Sequence, residues 1–339
     1  MKNKRALIYI AAVLGIAALM AVVVWIKQLQ RTGTETQAAK TEFIMDTVVE
    51  IRASGPDAEA AVDAAFAEMS RVEKVFSRHL KDSAITRINQ GSGQWVPVTD
   101  EVMALLEKAL HYSELSSGAF DITVGRLIDL WGFGTDKQKI PPETELAQAL
   151  ATVDYRSVEI DKSAKMVRIP SGTIIDLGGI AKGYAVDQAR KVLEAKGVKS
   201  GMIYAGGDIT TIGAKPDGSS WRVGVQHPRE STALIGIVEM ENKTIVTSGD
   251  YERYFMDNGI RYHHIIDPHT GYPARDVISV TIYGSEAADA DALSTTIFVL
   301  GLERGKALIE NLPGYEAVIV DQEGNVWVSS GLAGQITLL

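Results

Sequence analysis

Four short stretches of the 339-residue chain gather side chains that can do chemistry. In Ile174-Ile175-Asp176-Leu177-Gly178-Gly179-Ile180-Ala181-Lys182-Gly183, an apolar strand is expected to end at Asp176, two glycines to make a close turn, and a helix to follow. Free backbone N–H groups and the positive end of that helix suit an anion, and Lys182 adds a charge. The same residues equally suit an ordinary tight connection capped by Asp176. The spacing matches neither a P-loop nor a dinucleotide fingerprint. In Ala287-Ala288-Asp289-Ala290-Asp291-Ala292-Leu293-Ser294-Thr295-Thr296, Asp291 and Thr295 lie four apart and share one face of a helix, while Asp289 points elsewhere. A carboxylate and a hydroxyl on one face are hard oxygen donors of the kind Mg²⁺ accepts. The alternative is that Asp289 or Asp291 caps the start of a buried helix.

The third stretch, His263-His264-Ile265-Ile266-Asp267-Pro268-His269, is a strand that breaks at Asp267-Pro268. Adjacent strand residues face opposite sides, so one histidine at most enters a site. That alternation, in a chain without cysteine, argues against a closed zinc site and for one histidine as a proton carrier. His263 and His269 are read as structural or solvated. The fourth stretch joins Ser117-Gly118-Ala119-Phe120-Asp121 to Leu130-Trp131-Gly132-Phe133-Gly134, whose aromatics make either a flat slot for a ring system or ordinary core beside turns.

The elements that must position these residues are mixed. Helices are expected from Asp57 (Val62, Phe66, Met69 and Val72 inward), from Asp100 (Met103, Leu106 and Leu110 inward), and from about Ile180 to Lys196, stopped by Gly197. Strands are expected at 47–52, 158–160, 167–169, 202–204, 221–225, 235–239, 260–266, 277–282 and 317–320. Hairpin spacing outnumbers strand-helix alternation, which predicts an α+β class, one large mixed domain of two packed halves over 41–339.

Ahead of that domain, residues 1–5 carry Lys2, Lys4 and Arg5, and 6–26 hold no charged side chain. At about 1.5 Å per residue such a run crosses a bilayer core of about 30 Å, so 6–26 is expected to be a single transmembrane anchor, with a cleaved secretory signal as the alternative. Residues 27–40, rich in Thr, Gln and Ala, read as a tether. Beyond residue 31 the chain has 29 Lys and Arg against 43 Asp and Glu, a formal charge of −14. Such a body repels nucleic acid and needs a cation to hold a polyphosphate.

In their order along the chain these motifs resemble the ApbE family of FAD:protein FMN transferases. The resemblance rests on Met45-Asp46-Thr47, Phe76-Ser77-Arg78-His79, Arg87-Ile88-Asn89, Gly118-Ala119-Phe120-Asp121, Asp176 through Tyr184, Ala205-Gly206-Gly207-Asp208, His264-Ile265-Ile266-Asp267-Pro268 and Ala290 through Thr295. It implies FAD as substrate, with flavin contacts at Met45, His79, Ala119, Phe120, Asp121, Asp176, Lys182 and Ile265, and Mg²⁺ on the Gly179 carbonyl, Asp291 and Thr295. Ser294 stands where some members carry a second aspartate, and His79 where many carry an aromatic residue. The implied reaction is attack by a Thr or Ser hydroxyl of an acceptor flavoprotein on FAD, releasing AMP, with His264 as base. An FAD pyrophosphatase and a non-catalytic flavin-binding module are the rival readings. The implied acceptors are flavoprotein subunits of membrane redox complexes, which places the catalytic domain on the outer side of the plasma (inner) membrane.

Overall fold

The computed structural model describes residues 36–339. The expected anchor at 6–26 lies outside the described residues. Among those described, no helix is long and apolar enough to cross a membrane.

One antiparallel sheet of eight strands organises the molecule. Its first four strands in space are β1 (Thr36–Ile44), β2 (Thr47–Gly55), β6 (Ser200–Ala205) and β7 (Asp208–Ile212). The other four are β10 (Thr244–Gly249), β13 (Val277–Gly284), β14 (Glu316–Asp321) and β15 (Val326–Val328). The two expected halves therefore share a sheet, joined where β7 meets β10. That seam has only two paired positions, Thr244 with Thr210 and Ile245 with Ile209, reinforced by a 2.8 Å bond between the Thr210 and Thr244 hydroxyls.

Three helices cover one face of the sheet: α1 (Ala58–Phe76), α6 (Ala181–Ala195) and α7 (Ala287–Glu310, broken at Gly301). Between α1 and α6 the chain forms α2 (Ala84–Gln90), α3 (Asp100–Leu115), α4 (Gly125–Trp131), α5 (Glu143–Leu150) and a small sheet of β3 (Val96–Pro97), β4 (Glu159–Asp161) and β5 (Met166–Arg168). The helical periods expected from sequence are present, with Val62, Phe66, Met69 and Val72 of α1 buried against the sheet. Beneath the opposite face lies a sheet of β8 (Trp221–Gln226), β9 (Leu234–Met240) and β16 (Ile336–Leu338). Alternation sorts the strands between two cores. Ala317 and Ile319 of β14 pack toward the helices, and Val318 and Val320 toward Val223, Val225 and Val238. A separate hairpin, β11 (Tyr254–Asp257) with β12 (Ile260–His263), leads into His264.

The structure corrects three expectations. Thr36 to Lys40, read as part of the tether, belong to β1, which pairs with β2 from Thr36 to Ile44. Its sequence is polar because β1 is an edge strand whose residues are mostly exposed. The segment before Asp176 is only an isolated parallel bridge, Ile174 with Val124, rather than an extended strand. Residues 122–125 pair with it on one side, and at Ile175 the side-chain amide of Asn89 takes the place of a second partner, bonding both the N–H (2.7 Å) and the carbonyl (2.9 Å). Nor does Asp289 or Asp291 cap α7. Asp187 of α6 does so from across the helix interface, accepting the Ala287 and Ala288 N–H groups at 2.8 and 2.9 Å. Two helices become this close because of Gly183, where a Cβ would fall 2.2 Å from the Ala287 carbonyl oxygen.

Candidate functional site

Helix α6 begins at the end of the glycine turn, so Lys182 stands in its first turn. The α6–α7 contact sets this lysine beside the buried Asp291, whose Oδ2 accepts the Gly183 N–H at 2.9 Å. Lys182 Nζ lies 2.5 Å from Oδ2 of Asp208, which the β6–β7 hairpin delivers through its Gly206-Gly207 turn. Asp208 in turn accepts the Thr247 N–H of β10 at 3.0 Å, so the pair sits on the seam between the halves. Burial opposes the lysine's charge, but Asp208 and Asp291 outweigh it and raise its pKa. Burial pushes Asp291 up to about 7, with Lys182 opposing and Asp208 reinforcing the rise. One ammonium thus faces two buried carboxylates, and the site is short of positive charge.

One helical turn beyond Asp291, Thr295 comes within 3.4 Å of the Cβ position of Gly179, and the Phe120 ring within 3.0 Å. Gly179, Asp291 and Thr295, expected to act together, are therefore neighbours, and Ala119-Phe120 lies against the same turn. Their oxygens are a carbonyl, a carboxylate and a hydroxyl; among the described residues no three His, Cys, Asp or Glu side chains gather as a metal cluster. Ser294 is fully buried, with its hydroxyl on the Asp291 carbonyl (2.9 Å) and on Ser248 (2.8 Å). That geometry commits it to the helix and to β10.

His264 follows β12 and donates its main-chain N–H to the Arg253 carbonyl at 3.0 Å. Burial, then the charges of Arg253 and His263, push its pKa down to about 3, and its Nδ1 is buried without a protein partner. It is a neutral imidazole with an unspent nitrogen. His263 is structural, as read, with Nε2 on the Ala274 carbonyl (2.7 Å) and its ring edge-on to Phe298. His269 is exposed and bonds Asp267. Ile265 is buried in the main core.

The remaining expected residues flank this centre. Asp176 is held by Arg78 and by the Gly178 N–H, and Arg78 also reaches Asp129 at 2.8 Å. His79, next along, is exposed. Met45 sits in the β1–β2 turn at φ +54°, beside Asp46 at +57°, its N–H on a Glu73 carboxylate oxygen at 2.9 Å. Side chains larger than Gly or Asn are rare in that conformation, so the turn is set by its surroundings. Asp121 is fully engaged by protein groups, accepting from Thr123 in its own loop and from the distant Tyr155 N–H. Of the two readings of Trp131 and Phe133, ring slot or core beside turns, the structure shows the core: Trp131 is fully buried, stacked on Phe133 and Tyr262. Sequence reasoning assigned no role to Asp208 or Arg78. An aspartate directly after a Gly-Gly turn was the available signal for the first.

His263 and His264 give the protein a definite acid response. Both are neutral when folded, with pKa values of about 4 and 3 against an ordinary 6.5. Between those values the unfolded chain takes up protons that the folded chain refuses, so their contribution to stability is complete above pH 6.5 and is lost as pH falls. Thermal unfolding from pH 7 to 4 should show a smaller loss in His264→Gln than in wild type. Equal pH slopes would mean that His264 protonates freely when folded.

A glycine turn before a helix start, a buried lysine, and oxygen donors on the facing helix define an α+β protein fitted to hold a phosphorylated ligand. The sequence model of the ApbE family matches residues 45–319, and the chain belongs to that family. It is 35% identical over 325 residues to the FAD:protein FMN transferase of Treponema pallidum (strain Nichols), covering 89% of each chain. To the Vibrio cholerae (serotype O1, strain O395) protein of the same name it is 35% identical over 247 residues, covering 71% of this chain and 74% of that one. Among solved structures, the ApbE protein of Thermotoga maritima superposes with a TM-score of 0.84 at 37% identity, covering 88% of this chain and 99% of the other. The Pseudomonas stutzeri flavinyl transferase ApbE gives 0.79 at 32%, covering 89% and 97%.

Proposed function

We propose that the protein is an FAD:protein FMN transferase that moves FMN from FAD to a Thr or Ser hydroxyl of an acceptor flavoprotein and releases AMP. The observation that carries this reading is the neutral, partnerless His264 nitrogen, close enough to Lys182 to feel its charge, beside a surplus of buried carboxylate. Family membership supplies the flavin.

In the reaction, the acceptor oxygen forms a bond to the FMN-side phosphorus of FAD, and the pyrophosphate P–O bond breaks toward AMP. His264 takes the hydroxyl proton. Its low basicity defers that transfer until the forming P–O bond has made the hydroxyl acidic. Lys182, held by Asp208, faces the phosphate charge. The Asp176 loop, pinned by Arg78, orients the glycine turn, and Met45, His79, Ala119, Phe120, Asp121 and Ile265 border the flavin.

Gly179, Asp291 and Thr295 fit Mg²⁺: all three donors are hard oxygens, and Asp291 is a buried carboxylate that a cation would keep ionised. When bound there, the ion supplies charge neutralisation at the pyrophosphate. Segment 6–26 would anchor the enzyme in the plasma (inner) membrane with its catalytic domain outside, where acceptor subunits of redox complexes present their hydroxyls.

The discriminating assay incubates the full-length protein with FAD and Mg²⁺, with and without an acceptor. Transfer predicts AMP release that depends on the acceptor. AMP at the same rate without one would instead establish a pyrophosphatase.

A further inference from the structure

Beside the Lys182–Asp208 pair lies a cavity of 590 Å³, within the range of about 300–1,000 Å³ typical of ligand pockets. One end is formed by Thr47, Gly206 and Gly207, which adjoin the Met45 turn and Asp208. Glu252 borders it and lies in the electrostatic field of Lys182 and Asp208. The next residue, Arg253, accepts the main-chain N–H of His264, so one segment carries both the cavity rim and the support of the base.

The wall also contains Arg229, Arg261 and Tyr254. Behind it the buried Asp250 accepts Nη1 and Nη2 of Arg229 at 2.6 and 2.7 Å and Nη1 of Arg261 at 3.0 Å. Arg261 also lays its guanidinium 4.3 Å from the Tyr254 ring centre. Within that group one carboxylate against two guanidiniums leaves a positive charge, fixed in position, in a body of net −14, while the cavity's other carboxylate, Glu252, lies in the field of Lys182 and Asp208. Two immobilised forks with one counter-ion between them are suited to a carboxylate from outside.

We propose that this cavity seats the acceptor polypeptide, as an extended segment whose Thr or Ser hydroxyl lies at the Lys182 end while a neighbouring Asp or Glu bonds Arg229 and Arg261. The assignment rests on the transfer reading above and adds a preference to it: acceptors carry acidic residues beside the modified hydroxyl. The cavity then serves the acceptor and leaves FAD to the glycine turn and its surroundings.

The test uses full-length protein in detergent with two fluorescein-labelled threonine peptides, one with aspartates flanking the threonine and one with asparagines. The aspartate peptide should bind about tenfold tighter by anisotropy, the equivalent of about 1.4 kcal/mol. Arg229→Gln and Ser231→Glu should each abolish the preference with FAD affinity, read from flavin fluorescence, unchanged. The second variant adds charge at an exposed lining residue and leaves Asp250 its partners, so it tests the site even if the first misfolds. Equal binding of the two peptides, a preference that survives Ser231→Glu, or weakened FAD binding with unaltered peptide binding would overturn the assignment, the last giving the cavity to the dinucleotide. A charge preference without flavin transfer to any peptide or protein would uphold the docking site and reject the transfer reading.

Discussion

Asp291→Asn should lower FMN transfer about a thousandfold, while the protein stays folded and unfolds at the same temperature or higher. The magnitude follows from losing several kcal/mol of charge stabilisation at the pyrophosphate, at about 1.4 kcal/mol per tenfold in rate. Stability moves the other way. Asp291 is buried and its pKa is pushed up to about 7, so its ionised form is disfavoured in the absence of a cation. Asparagine keeps an oxygen for the Gly183 N–H and removes the charge, and Lys182 retains Asp208. Function and stability therefore separate at this residue. The check is to measure transfer rate and thermal midpoint on the same samples, with and without Mg²⁺. Wild type should be stabilised by the ion and the variant should not. Near-normal transfer by the variant would remove Asp291 from the metal site.

His264→Ala should reduce transfer by about 10²–10⁴, the usual contribution of a positioned base. The accompanying pH profile separates a base from a packing residue. Because burial holds the free imidazole near a pKa of 3, kcat/KM for transfer measured at saturating Mg²⁺, which keeps Asp291 ionised, should show no acid limb near 6.5. An acid limb near 6.5 that persists at saturating Mg²⁺ would mean that the working imidazole is solvated. If His264→Ala kept near-normal transfer while Asp291→Asn lost it, another group would take the proton and the oxygen-donor assignment would stand alone.

Much of this site could be read from spacing. The Asp291–Thr295 pair was visible because positions four apart must share a helix face, and the glycine turn because Gly178-Gly179 precedes a helical period ending at Gly197. The helices at Ala58, Asp100 and Ala181 were legible from their apolar periods, as were β13 and β14 from their short apolar runs. What stayed hidden depends on contacts between distant parts of the chain. Asp187 caps a helix that begins 100 residues later. Asp208 meets Lys182 only once the β6–β7 hairpin is built, and Asn89 stands in for a strand beside Ile175. Whether Trp131 faces a ligand ring or the core stays open in the sequence, which does not show Tyr262 folding back onto it. Strand β1 was missed for a different reason. An edge strand exposed to water carries the composition of a tether, and only its nine-residue pairing with β2 reveals it.

The central claim is covalent transfer of FMN, and intact-protein mass spectrometry of a candidate acceptor co-expressed with this enzyme tests it most directly. The acceptor should gain the mass of FMN less one water on a single Thr or Ser, and the gain should vanish with Asp291→Asn. An acceptor that stays unmodified while FAD is converted to FMN and AMP would contradict the claim.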